Sequence, residues 1–210
     1  MNAQATLLRI LAAFAAALAA VLLAFAPAPA RAEGSAGKAL MLVAKPELGA
    51  AYSQTVLLVV PLGAAEHVGF IINRPLDAPL SAIFPDHAPA KQVVDPVRFG
   101  GPIMADTIFA LVHSDGTGPG GDTQRLFGDL FVASRATDID RIIEKTPNDA
   151  RYFVGFVGWR AGELDAEIAK GFWYVIDPQE DLLFRKDPRG MWRELVRRLG
   201  IEPTPHQSAL

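Results

Sequence analysis

The residues best suited to capturing a ligand are Asn73, Arg74, Gly100, Gly101, Asp106, Trp159 and Glu163. Arg74 carries a planar guanidinium, the group that grips a carboxylate or phosphate through two parallel hydrogen bonds. The apolar run Val68–Ile72 precedes Asn73 and Arg74, and Pro75 follows them. Proline has no N–H for a sheet ladder and holds the residue before it extended, so both polar residues should sit at a strand end. Strand ends in layered sheets are where polar groups meet a ligand. In Phe99-Gly100-Gly101-Pro102 two glycines permit backbone angles closed to other residues, and their bare N–H groups can form an anion-holding concavity. The competing reading is a tight connection into a strand beginning near Thr107, with Asp106 placed to cap or orient it. Gly158-Trp159-Arg160-Ala161-Gly162-Glu163-Leu164 reads as a strand passing through a turn into a helix.

Acid–base chemistry would fall to Asp106, His113, Glu163 and Glu167, in a hydrolase or lyase of unknown substrate. Glu163 and Glu167 share a helix face by their spacing, but paired carboxylates act as acid and base only in an enclosed cleft that separates their environments. His113-Ser114-Asp115 holds the letters of a triad, yet members of a triad are seldom sequence neighbours, and a histidine ending a strand explains them better. The four histidines show no metal-ligand spacing, and the chain has no cysteine to help them. Gly116-Thr117-Gly118-Pro119-Gly120-Gly121 matches the dinucleotide fingerprint in letters only, because Pro119 interrupts the turn and no helix opens after it. It reads as a hairpin loop, so no cofactor and no metal are expected.

Residues 1–32 have the layout of a signal peptide: Arg9, an apolar run of 17 residues from Ile10 to Ala26, then Ala30-Arg31-Ala32. Cleavage after Ala32 is expected, which would place the protein in the periplasm; an uncleaved anchor is the alternative and would be its sole tie to a membrane. Without the two leader arginines, 18 basic residues face 23 acidic ones, a net charge of about −5. Such a chain has no general attraction for nucleic acid.

Six apolar runs have strand length: Ala39–Ala44, Thr55–Pro61, Val68–Asn73, Thr107–His113, Leu130–Ser134 and Arg151–Gly158. Val56-Leu57-Leu58-Val59-Val60 has no polar alternation, which marks a strand covered on both faces. Gly69, inside the third run, marks a place where another backbone approaches closely. Helical patterns are fewer: Leu80–Phe84, Asp138–Lys145, Glu163–Lys170 with Gly171 as its stop, and Pro188–Leu199. The last of these sets Arg189, Arg193 and Arg197 opposite Trp192, Leu195, Val196 and Leu199; it reads as a solvated face over a buried stripe, with docking to an acidic partner as the alternative. Several strands precede the first substantial helix, so the class is α+β: one domain over residues 39–201, with a mixed, mostly antiparallel sheet of about six strands and packed helices. Residues 33–38 are expected to be a tether and 202–210 a fraying tail.

His67-Val68-Gly69-Phe70-Ile71-Ile72-Asn73-Arg74-Pro75-Leu76, with the glycine corner at 99–102 and the turn at 158–164, resembles the YqgE/AlgH family, from Ala39 to Ile201. The resemblance implies a small α+β protein. It also implies a regulatory association, since some members carry the name of a transcriptional regulator through a link with exopolysaccharide production. Members are mostly cytosolic and lack a leader, so this chain departs from them. No helix-turn-helix pattern is present, and an exported acidic protein does not meet the chromosome. The expected role is a non-enzymatic binding or regulatory module of the cell envelope, with the three glycine-bearing corners converging on a shallow cleft for a small anionic ligand or an unidentified protein. A cytosolic regulator is the alternative if the leader is not used. A structural protein docking through its last helix or an exposed sheet edge is the third reading.

Overall fold

The apolar runs become strands. In the computed structural model, which describes residues 38–200 except Ala64, they lie in one curled, nine-stranded sheet. The leader, nearly all of the tether and the C-terminal tail fall outside the described residues. In chain order the strands are β1 (Leu40–Ala44), β2 (Val56–Leu62), β3 (Glu66–Ile71), β4 (Arg98–Phe99), β5 (Ile103–His113), β6 (Gln124–Phe127), β7 (Leu130–Ala133), β8 (Ala150–Trp159) and β9 (Trp173–Ile176). The α-helices among the described residues are α1 (Leu80–Ile83), α2 (Ala136–Lys145), α3 (Glu163–Ala169), α4 (Glu180–Leu183) and α5 (Met191–Arg198). The α+β class holds. The sheet is larger than six strands because β4, β6 and β9 add to it, and strands of two to four residues are too short for periodicity to reveal.

The order across the sheet is β6-β7-β5-β8-β3-β2-β1-β9, with β4 beside β8. All pairings are antiparallel except β4 with β8. Strand β8 is the spine. Its first half, Ala150 to Val154, pairs with β5, and its last three residues, Val157 to Trp159, pair with β3. Between them Gly155 adopts φ +67°, and the facing part of β5 slips register between Ile103 and Ile108. A β-bulge of this kind bends the sheet, which splits the core into two clusters. The larger gathers β1, β2, β3 and α5, and Val56 to Val60 are buried throughout, as their unbroken apolar run requires. The smaller packs α2 on β5, β7 and β8 through Ile139, Ile142 and Ile143. Burying each isoleucine contributes about 1.5–3 kcal/mol.

Helix α5 matches its amphipathic reading: Met191, Trp192, Leu195 and Val196 are buried, Arg193 and Arg197 are exposed, and the Trp192 indole donates to Ala44 O at 2.7 Å. Gly171 follows α3 at φ +79°, the left-handed stop its position suggested. At Gly69 the close neighbour is a side chain rather than a backbone: a Cβ there would lie 2.7 Å from the Trp159 ring. No helix among the described residues is long and apolar enough to cross a membrane.

Candidate functional site

Two of the three predicted corners meet. Phe99 N donates to Arg74 O at 2.8 Å and Ile71 N to Gly100 O at 2.9 Å, so the end of β3 lies against the glycine corner. That corner is sealed, however. Gly100 N donates to Val154 O at 2.8 Å, and a Cβ on Gly100 would collide with Gly155 O and one on Gly101 with the Phe156 backbone. Gly100 and Gly101 therefore answer a demand for space rather than for left-handed angles, and both are buried, as the tight-connection reading of this corner requires. Asn73 is a strut: its Oδ1 accepts from Val56 N at 2.9 Å and its Nδ2 donates to Gln54 O at 2.8 Å. Arg74 is half-buried and gives one hydrogen bond, to Ser53 O at 3.1 Å; burial lowers its pKa, and no carboxylate among the described residues pairs with it. Asp106 is exposed within β5, which begins at Ile103 rather than Thr107, and it accepts from the Thr107 hydroxyl at 3.4 Å.

At the third corner Glu163 and Glu167 part company. Exposed Glu163 accepts from Arg160 N at 2.8 Å and closes the turn into α3. Glu167 Oε2 accepts from the indoles of both Trp159 and Trp173 at 2.9 Å, and both rings are buried. Trp159 is thus a core residue held by a carboxylate, and the spacing of two glutamates gave no sign of it.

Two buried cations were not foreseen. Arg98, only 1% exposed, donates from Nη1 to Ile72 O and Leu183 O and from Nη2 to Arg185 O, at 2.8 to 3.0 Å. Arg151 donates to Phe184 O at 2.7 Å and pairs with Asp95 at 3.2 Å. Together the two guanidiniums hold three successive carbonyls at the C-terminal end of α4, where a cation is favoured by the helix dipole. Burial pushes Arg98 down to about 10, with the neighbouring Arg151 charge adding to the effect.

Pinning α4 in this way brings its first residue, Glu180, against the end of β5. His113 Nδ1 lies 2.5 Å from Glu180 Oε1, and its Nε2 lies 3.4 Å from Asp115 Oδ1. The hydrogen bond to Glu180, followed by the charges of Glu180 and Asp115, raises the His113 pKa above its ordinary value despite some desolvation. Beside this histidine opens a cleft of about 320 Å³. Its walls come from the end of β5 (Ser114, Asp115), the last turn of α2 (Arg141, Ile142, Lys145) with Thr146, the approach to β8 (Asp149), and Pro119 of the glycine-rich loop. His113 N donates to Asp149 O at 2.9 Å, which ties the two strand ends together at the floor.

The loop is latched to α2. Asp138, 2% exposed, accepts from Asp122 N at 3.2 Å and from Arg141 at 2.8 Å, while Gly121, at φ +75°, sits so close to this pair that no side chain would fit. The segment 116–121 is a loop but not the expected hairpin, because it leads from β5 to β6, which pairs with β7 and not with β5; Pro119 of this loop forms a wall of the cleft. Of the acid–base candidates only His113 lines the cleft. No group of three or more metal-ligating side chains occurs among the described residues.

Comparison with known proteins agrees with this architecture. A solution structure of the AlgH protein from Pseudomonas aeruginosa superposes with TM-score 0.66 at 24% identity, covering 86% of this chain and 98% of that one. A crystal structure of a protein from Corynebacterium diphtheriae gives TM-score 0.64 at 21% identity, covering 83% and 92%. A relative named UPF0301 protein in Chlorobium limicola is 30% identical over 166 residues, 78% of this chain and 86% of its own length. Another in Magnetococcus marinus is 30% identical over 173 residues, 80% of this chain and 90% of its own. The AlgH-like family profile matches residues 41–204, and the chain belongs to that family.

Proposed function

We propose that this protein is a non-enzymatic binding module of the cell envelope that takes a small charged ligand into the His113 cleft. The observation that carries the reading is the cleft itself: a hollow of small-ligand size at strand ends, walled by both signs of charge. Its histidine is oriented by Glu180, and Arg141 is held by Asp138, so the walls are preorganised. A non-enzymatic role is supported by the separation of the acid–base candidates: Glu163 and Glu167 are committed to hydrogen bonds elsewhere, and Asp106 lies outside the cleft. The envelope location follows from the signal-peptide layout of residues 1–32.

The test is retention. The protein is equilibrated with the low-molecular-weight pool of its own cells, washed and denatured, and the released compounds are identified by mass spectrometry. The native chain should release an unchanged charged compound that Lys145→Glu does not retain. Equal retention by both chains would move the site away from the cleft, and chemical conversion of the pool would make the protein an enzyme. Sequencing the N-terminus of the fractionated protein tests the location, with Glu33 expected first.

A second reading rests on Arg74. Its guanidinium is half-buried with a single hydrogen bond, and it retains donors for a carboxylate of a ligand or partner. Arg74→Ala should then abolish capture and leave the melting temperature unchanged; a collapse in stability would make Arg74 structural.

A further inference from the structure

The five ionisable walls of the cleft, His113, Asp115, Arg141, Lys145 and Asp149, are not equivalent. Arg141 is paired with Asp138 at 2.8 Å, and the His113 ring lies between Glu180 at 2.5 Å and Asp115 at 3.4 Å. Lys145 and Asp149 line the same hollow, yet neither takes part in an ion pair among the described residues, with each other or with anything else. Opposite charges that share a hollow without closing on each other leave a gap with a positive and a negative side. A simple anion entering it would meet one complementary charge and one like charge, and so would a simple cation. A molecule carrying both charges satisfies both walls. In the same hollow half-buried Pro119 supplies apolar surface, and the hydroxyls of Ser114 and Thr146 can supply further hydrogen bonds.

We infer that the cleft selects a small zwitterion of the amino-acid class, its carboxylate toward Lys145, its ammonium toward Asp149 and an apolar side chain against Pro119; this rests on the reading of the cleft as the binding site. The volume of about 320 Å³ admits a free amino acid with space for bridging water. Both unpaired side chains are exposed, so either can be altered without disturbing the core.

The experiment is calorimetric titration of the full chain with three related probes: leucine, which is a zwitterion at neutral pH; leucinamide, which is a cation; and N-acetylleucine, which is an anion. Leucine should bind saturably. Each blocked analogue should bind roughly tenfold or more weakly, the loss expected when one charge-assisted contact is removed. Lys145→Glu and Asp149→Asn should each weaken leucine by a similar factor with unchanged melting temperature. Either blocked analogue binding as tightly as leucine overturns the zwitterion inference while leaving the cleft as a binding site. Leucine binding that is unaltered in both variants overturns the inference and the cleft together. Absence of saturable leucine binding overturns the inference alone, since retention of a cellular compound judges the cleft separately.

Discussion

At Arg98 the chain buries a cation and surrounds it with carbonyl oxygens from Ile72, Leu183 and Arg185 instead of a carboxylate. Arg98→Met would keep much of the volume and strand those oxygens, each costing about 1–3 kcal/mol when left unsatisfied. A loss of about 3 kcal/mol or more is expected in denaturant titration; a loss below about 1 kcal/mol would mean that the carbonyls find other donors. None of this was legible beforehand, because an arginine between Val97 and Phe99 reads as an edge charge, the ordinary fate of arginine. His113 was visible as a strand-ending residue, but its partner Glu180 stands 67 positions away. Because Glu180 raises the His113 pKa, the stability this pair contributes is complete below the ordinary value of 6.5 and is lost as pH rises through the higher folded value. In a histidine-resolved NMR titration the His113 midpoint should lie above 6.5 and fall in Glu180→Gln; a midpoint at or below 6.5 in the native chain would break the pairing.

At the level of elements, the bend in β8 depends on the contact of Gly155 with the corner at Gly100 and Gly101. A Cβ on Gly155 would strike the carbonyls of Gly101 and Ile103, and its φ of +67° adds strain for any other residue. Gly155→Ala should therefore destabilise severely, whereas Gly128→Ala, at φ +50° with open space around it, should cost only about 1 kcal/mol. Comparable losses in thermal melting would show that the sheet accommodates the bend differently. Elements announced by long apolar runs or by helical periodicity were legible, and all six strands and four helices read from the sequence exist. Strands β4, β6 and β9 and helix α4 were not, since two to four residues are too few to carry a period. Of the two readings of the glycine corner, the tight connection is the one its geometry fits: the glycines make space for another backbone.

For the whole molecule, the cleft draws on the end of β5, the last turn of α2, the approach to β8 and the glycine-rich loop, with Glu180 of α4 holding His113 from outside the lining. Each contribution is plain in its own segment, His113-Ser114-Asp115 at a strand end and Arg141 and Lys145 one turn apart on a helix. Their meeting depends on strand order and on the pinning of α4 by two buried arginines, which are long-range facts that local pattern does not carry. Two of the three corners chosen from the sequence lie instead at the bend in β8, and the third closes the turn into α3. Chemical-shift mapping of the isotope-labelled full chain, titrated with the compound released from its cellular pool, tests this division most directly. The account predicts that the backbone amides of Ser114, Asp115, Lys145, Thr146 and Asp149 respond together with the His113 ring. A response centred on Arg74 and Ser53, with the His113 cleft unmoved, would contradict it.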